Sequence, residues 1–196
     1  MTDAPAPSRD LGRAERSARN TLLLIAAVCL APIVASYTIY YFYPREPTAN
    51  YGTLLPAAPA PTITGATPDG SPFALTDLRG RWTIVIGSAG TCDAACARDL
   101  YATRQARTMQ GGEQQRVARV LLVADGAVPA QDLLAQHPGL VVARVAPATL
   151  VALPGGPAGI FIVDPLGNLV LRYPENPDIK RFAGDLARLL RASRIG

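Results

Sequence analysis

Two cysteines, Cys92 and Cys96, have the residue type and spacing that could carry chemistry in this 196-residue chain. Residues four positions apart lie on one face of a helix, one turn from each other, so both thiols could reach the same partner. Such a pair could bind a soft metal ion, exchange with another disulfide, or close into a disulfide that only staples the chain. A single C-x-x-x-C without a second cysteine pair argues against a structural zinc site.

The segments around the pair predict a strand followed by a helix. "WTIVIGSA", 82–89, is a continuous apolar run typical of a strand buried on both faces, and residues 93–110 read as a helix that ends at Gly111. The cysteines therefore fall at the carboxyl end of a buried strand, where open α/β sheets place their ligands. A position in the first turn of the helix would favour the thiolate of Cys92, and the neighbouring Asp93 would oppose it.

The remaining pattern predicts an α/β domain built on a central mixed sheet that is flanked by helices. Further strands are expected over 116–124, 140–146, 158–164 and 168–174, and the last two read as a hairpin. A short helix is expected over 129–136, and an amphipathic helix ends the chain.

The N-terminal region predicts a membrane anchor. Residues 21–43 contain no charge, and a helix of that length rises about 34 Å, enough to cross a hydrocarbon core of about 30 Å. Four arginines precede the span, so the positive-inside rule places residues 1–20 as a cytoplasmic tail. In a bacterium, this puts a Pro-rich linker over 44–61 and a domain over 62–196 in the periplasm, on the outer side of the inner membrane. Cys29, inside the span, is interpreted as a small apolar residue.

Composition argues against several function classes. The net charge of +4 is spread along the chain without a basic cluster, so we expect no nucleic-acid partner. "GSAG", 87–90, lacks the Lys-Ser/Thr that a phosphate loop needs. Ser88 has no partner for a hydrolytic triad, because His137 is the only histidine.

Two stretches carry a resemblance to a known family. "FALTDLRGRWTIVIGSAGTCDAAC" and, some sixty residues later, "IFIVDPLGNLVLRY" resemble the Sco/SenC group of thioredoxin-like proteins. The resemblance implies a thioredoxin-like domain on one N-terminal transmembrane helix. It also implies a role in delivering copper to cytochrome c oxidase, with Cys92 and Cys96 as copper ligands. The implied partners are a terminal oxidase subunit or another copper protein.

The chain departs from that family at the third ligand, which is a histidine just before the strand that here reads "AGIFIVD". Gly156 or Pro157 stands in its place, and His137 lies elsewhere, in "QHPG", where we expect a surface residue rather than a ligand. The likeness to thioredoxin-like folds implies instead a cis-proline at Pro157, facing the cysteine motif.

Three functions stay open at this point. The first is a factor in oxidase assembly that handles copper, or the redox state of copper-site thiols, through Cys92 and Cys96. The second is a periplasmic thiol–disulfide oxidoreductase in which Cys92 attacks and Cys96 resolves. The third is a non-catalytic, membrane-tethered interaction module. None of these is a metabolic enzyme.

Overall fold

A computed structural model describes residues 11–42, 50–124, 126–127 and 129–193 of the chain. These residues belong to two compact units, Met1–Ala49 and Asn50–Gly196, which are described separately below.

The described part of the first unit is one long helix, α1, over Leu11–Phe42. Its segment Ala18–Phe42, 25 residues long, is apolar and long enough to cross a membrane. Residues 11–20, predicted as part of a tail, are helical, so the helix begins before the apolar run. Pro32 lies inside the helix, which a membrane-spanning helix tolerates. Residues 1–10 of the predicted tail and Tyr43 of the predicted span lie outside the described residues.

The described residues of the second unit form strands and helices in alternation. The strands are β1 (Thr53–Pro59), β2 (Thr64–Ala66), β3 (Pro72–Ala74), β4 (Trp82–Ser88), β5 (Val117–Ala124), β6 (Leu140–Val145), β7 (Gly159–Val163) and β8 (Asn168–Tyr173). The α-helices are α2 (Ala94–Thr108), α3 (Gln131–Ala135), α4 (Pro147–Val151) and α5 (Ile179–Ala192). Two short 3-10 helices cover Leu75–Leu78 and Gly111–Arg116.

The strands form one mixed sheet in the order β1-β8-β7-β4-β5-β6-β2-β3. The three central strands β4, β5 and β6 run parallel, and the other neighbouring pairs are antiparallel. Helices α2 and α5 pack on one face of the sheet, and α4 and the first 3-10 helix pack on the other. The predicted architecture, a mixed sheet flanked by helices, is confirmed.

The central strands form where the sequence has continuous apolar, β-branched runs. All seven residues of β4 are buried, because alternate side chains enter the two cores. Ile84 and Ile86 pack toward α2 and α5, whereas Val85 packs on the opposite face. The final helix buries Phe182 and Leu186 along one side, as its periodicity predicts.

The predicted linker over 44–61 is shorter than expected, because residues 53–59 form β1 at the edge of the sheet. This strand pairs antiparallel with β8, and an edge position tolerates Pro56 and Pro59. The domain therefore begins before residue 62. Residues 44–49 of the predicted linker lie outside the described residues.

The buried carboxylate of Asp185, in α5, holds the start of the domain by hydrogen bonds. Asp185 Oδ2 accepts hydrogen bonds from the backbone N–H groups of Tyr51 and Gly52, at 2.7 and 2.9 Å, and from the Tyr173 hydroxyl at 3.1 Å. Arg188 pairs with the other oxygen of this carboxylate at 3.4 Å. The segment that leads into β1 is thus held against the folded core.

Candidate thiol site at the carboxyl end of β4

The two cysteines lie in the connection between β4 and α2. The chain leaves β4 at Ser88, and Cys92 and Cys96 are joined by a disulfide with their Cα atoms 5.0 Å apart. The structure therefore brings together the two residues that the sequence singles out, at the carboxyl end of the central strand.

Helix α2 begins later than the sequence predicts. Asp93 is the N-cap residue, and its Oδ1 accepts the backbone N–H groups of Ala95 and Cys96, both at 3.0 Å. Cys92 lies before the helix with a positive φ of 66°, so it is not in the first turn. The expected position of Cys92 in the first turn is therefore wrong, and the Asp93 carboxylate bonds to two of the helix N-terminal amides that the thiolate was expected to face. Asp93 matches the sequence preference for N-cap residues, which could have located this boundary.

The two sulfur-bearing side chains differ in accessibility. Cys96 is only 7% exposed and belongs to the core between the sheet and α2, where it packs with residues such as Leu100. Cys92 is half-buried and packs against the edge of the same core. Cys92 is therefore the more exposed member of the pair.

The loop before β7 lies against the end of β4. Gly87 pairs with Gly159, and a Cβ atom on Gly87 would come within 2.6 Å of the Pro157 carbonyl oxygen. Pro157 therefore lies at the same end of the central strands as the cysteines. The Gly156–Pro157 bond is trans, since the described residues contain no cis peptide bond, so the expected cis-proline is wrong. Gly156, with φ +104°, turns the chain here instead.

His137 lies at the opposite end of the parallel strands. It stands three residues before the start of β6, and because β4 and β6 run in the same direction, the amino end of β6 is remote from the carboxyl end of β4. The residue is 4% exposed, so the expectation of a surface histidine is wrong. Burial, together with the nearby charges of Arg119 and Arg104, lowers its pKa to about 4.

The residues present do not supply a three-ligand copper site of the kind that the resemblance implies. Across the described part of the chain, no group of three His, Cys, Asp or Glu side chains could hold a metal ion. Gly156 and Pro157, at the place of the expected histidine, carry no donor side chain. The soft donors that the described residues offer at this site are therefore the two thiols, once the disulfide is reduced.

A cavity of about 360 Å³ opens beside Cys96. Ser88, at the end of β4, and Ala158, before β7, line it together with three acidic residues. These are Asp93, Asp99 and Glu175. The sequence analysis did not find Asp99 or Glu175; the only available signal was that Asp99 follows Cys96 by three residues on one helix face.

Asp99 is the buried member of this acidic group, at 4% exposure. Its Oδ1 accepts the backbone N–H of Asn176, from the loop between β8 and α5, at 2.8 Å. Burial raises the pKa of Asp99, and the charges of Glu175 and Asp93 add to this shift, while the Asn176 hydrogen bond and Arg98 oppose it. The disulfide thus borders a pocket whose charges are negative.

A mixed sheet with helices on both faces, and a cysteine pair where a central parallel strand meets its helix, define a thioredoxin-like thiol protein. Residues 82–193 match the model of the family described as "Transmembrane-like, thioredoxin-like, C-terminal domain". The match covers more than half of the chain, and the chain belongs to this family. A search of curated proteins finds no match.

Solved structures show the same fold at low sequence identity. Yeast Sco1 with copper bound superposes with a TM-score of 0.59 and 15% identity, covering 71% of this chain and 96% of that one. Bradyrhizobium japonicum ScoI with copper bound gives 0.53 and 18%, covering 69% and 99%. A thiol:disulfide interchange protein from Chlorobium tepidum gives 0.51 and 20%, covering 70% and 97%. The predicted likeness to Sco/SenC and thioredoxin-like proteins is confirmed at the level of the fold.

Proposed function

We propose that this protein is a membrane-tethered thiol–disulfide exchange protein whose working group is the Cys92–Cys96 pair. The observation that carries the proposal is the asymmetry of the disulfide: a half-buried Cys92 is bonded to a Cys96 that lies in the core and borders a cavity. A disulfide that closes so short a loop stabilises the folded chain only slightly. Stabilisation of the fold is therefore a weak explanation for the Cys92–Cys96 disulfide.

The exchange proceeds in two balanced steps. A thiolate of the partner attacks Sγ of Cys92, a new intermolecular disulfide forms, the Cys92–Cys96 bond breaks and Cys96 leaves as a thiolate. The second thiolate of the partner then attacks the partner's own sulfur in the mixed disulfide and releases Cys92. The partner dithiol is oxidised to a disulfide, the pair is reduced, and the two thiol protons pass from the partner to Cys92 and Cys96. The reverse sequence reduces a partner disulfide, with Cys92 attacking and Cys96 resolving.

The helix α1 and its flanking charges support the location that we propose. Ala18–Phe42 serves as the anchor, and the arginines before it keep the amino terminus in the cytoplasm. In a bacterium, the domain then works in the periplasm at the inner membrane, where disulfides persist. We place its partner thiols in the copper site of a terminal oxidase. The fold shared with Sco1 proteins and with a thiol:disulfide interchange protein supports this assignment.

Copper transfer is the second candidate, with Cu(I) as cargo rather than as a resident cofactor. The reduced pair offers two adjacent thiolates, and Cu(I) accepts such soft ligands at low coordination number. Two solved structures of the same fold contain copper, which supports the candidate. Because no histidine lies beside the pair among the described residues, a subunit of the oxidase or another copper protein would have to supply a third ligand of that kind.

The test uses the full-length chain in nonionic detergent with Cys29→Ser, so that the pair provides the only thiols. The oxidised protein is mixed with a reduced two-cysteine peptide, and the products are separated by mass. We expect complete exchange in the parent. The reduced Cys96→Ser variant should form a stable mixed disulfide on Cys92 with the disulfide-linked dimer of a one-cysteine peptide, because the bound peptide then has no second thiol that could release Cys92. The matched Cys92→Ser variant, which keeps only the buried thiol, should react at least tenfold more slowly. Equal rates for the two single variants, or no exchange in the parent, would refute the proposal.

A further inference from the structure

Among the residues that the structure describes, those that line the cavity beside the disulfide include three acidic side chains and no basic ones. Asp93, Asp99 and Glu175 contribute to its wall, and the other described lining residues are uncharged. Asp93 also caps α2, so part of its charge is offset by the helix N-terminus. Asp99, in α2, and Glu175, in the loop after β8, are therefore the two carboxylates whose charge no helix N-terminus offsets.

Asp99 is buried, yet only one of its oxygens has a partner. Oδ1 accepts the N–H of Asn176, and Oδ2 receives no hydrogen bond from any residue that the structure describes. This oxygen is not one of the fully buried side-chain atoms that lack a partner, so solvent in the cavity reaches it. A donor that enters the cavity from a partner can therefore bond to it.

The chain's own cations do not fill this role. In the portion of the chain covered by the structure, the two ion pairs are Arg116–Glu113 and Arg188–Asp185, and neither involves this cavity. Arg98 is the nearest cation along α2, and it lines a neighbouring groove with Tyr101 rather than the cavity itself. The negative charge beside the disulfide thus remains available to an incoming group.

We propose that the partner segment that exchanges with the Cys92–Cys96 disulfide carries a lysine or arginine next to its cysteine, and that this cationic head group binds between Asp99 and Glu175. The inference rests on the proposed exchange function and names its partner class. Cys96 borders the same cavity, so a residue adjacent to the attacking cysteine can reach the carboxylates while its sulfur meets Cys92. A volume of about 360 Å³ is large enough for one such side chain.

The cationic residue changes the rate of the first exchange step and not its chemistry. The peptide thiolate still bonds to Cys92, the Cys92–Cys96 bond still breaks, and Cys96 still leaves as a thiolate. Opposite charge at the site raises the local concentration of the attacking segment and orients it. A cation bound here would oppose the upward shift of the Asp99 pKa, because it favours the ionised form of the carboxyl group.

The test compares three two-cysteine peptides that differ only in the residue beside the attacking cysteine: arginine, glutamine or glutamate. Second-order rate constants are measured with the full-length oxidised chain, carrying Cys29→Ser, in nonionic detergent at low and high salt. We expect the order arginine, glutamine, glutamate, with an arginine-to-glutamate ratio of about tenfold at low salt that shrinks as salt rises.

Two variants locate the effect. Glu175→Gln, at an exposed position, and Asp99→Asn, which keeps the acceptor for Asn176, should each reduce the ratio toward one. Asp132→Asn, the same charge change at an exposed residue outside the cavity, should leave it unchanged. A ratio near one in the parent, or a ratio that survives in Glu175→Gln and Asp99→Asn, overturns the inference while the exchange function stands. Failure of all three peptides to exchange overturns the proposed function itself.

Discussion

Replacement of Asp93 by alanine should loosen the start of α2, on which the buried cysteine lies. One oxygen of this carboxylate accepts two backbone N–H groups, those of Ala95 and Cys96, and alanine accepts neither. Loss of an N-cap acceptor costs about 1 kcal/mol, within a range of roughly 0.5 to 2. The N–H of Cys96 is partly buried, so water replaces its lost acceptor incompletely, and we expect about 1.5 kcal/mol for Asp93→Ala.

Urea unfolding of the oxidised full-length chain in nonionic detergent measures this change. Trp82, the only tryptophan, is buried in the domain at the start of β4, so its fluorescence reports the unfolding of that domain. With a urea dependence of about 2 kcal/mol per molar, the midpoint should fall by about 0.7 M. Amide hydrogen exchange should become faster at Ala95 and Cys96, and less so in the middle of α2.

Asp93→Asn is the matched control, because asparagine caps helices about as well as aspartate while it lacks the charge. We expect its free energy of unfolding to stay within about 0.5 kcal/mol of the parent. Equal destabilisation by asparagine and alanine would show that charge, and not the cap, is what Asp93 contributes. An alanine variant as stable as the parent would refute the capping argument altogether.

Three further predictions concern other parts of the domain. Asp185→Ala leaves two backbone N–H groups and one tyrosine hydroxyl without their acceptor, and the free energy of unfolding in urea should fall by about 3 kcal/mol. For His137, the pKa in the folded state, about 4, lies below the ordinary value of 6.5, so stability is present above pH 6.5 and is lost as the pH falls toward 4. The loss should approach 1.4 kcal/mol per pH unit, and His137→Gln should flatten that part of a stability–pH profile. Ala158→His places an imidazole in the cavity beside the reduced pair, and Cu(II) titration should show binding at least tenfold tighter than in the parent; no gain would contradict the view that a missing donor limits the site.

The central strands and the amphipathic final helix were predictable because each is determined by its own residues. β4 and β5 are long, apolar and β-branched, and such runs are stable only where both faces of a strand are covered. By contrast, β1 is rich in proline and was assigned to the linker, because its pairing depends on β8, far along the chain. The short strand β2 and the helix α4 were not predicted, since segments of three to five residues carry little periodicity.

The cysteine pair and its place beside the central strand could be predicted from spacing and pattern, whereas the surrounding groups could not. Asp99 gains its role because the loop after β8 docks on α2 and brings Glu175 and Asn176 to it. His137, in the segment before β6, is buried near Arg119 of β5. These environments arise from tertiary packing between distant segments, which a single sequence does not reveal.

The most direct test of the central claim is the reduction of the Cys92–Cys96 disulfide in glutathione buffers. The folded full-length chain, carrying Cys29→Ser, is equilibrated in detergent over a range of glutathione ratios, and mass spectrometry identifies the modified cysteine. We expect a reversible transition of the folded protein, with the mixed disulfide of glutathione on Cys92, the half-buried member of the pair. A disulfide that reacts only after the domain unfolds, or glutathione found mainly on Cys96, would contradict the account and leave the pair as a structural staple.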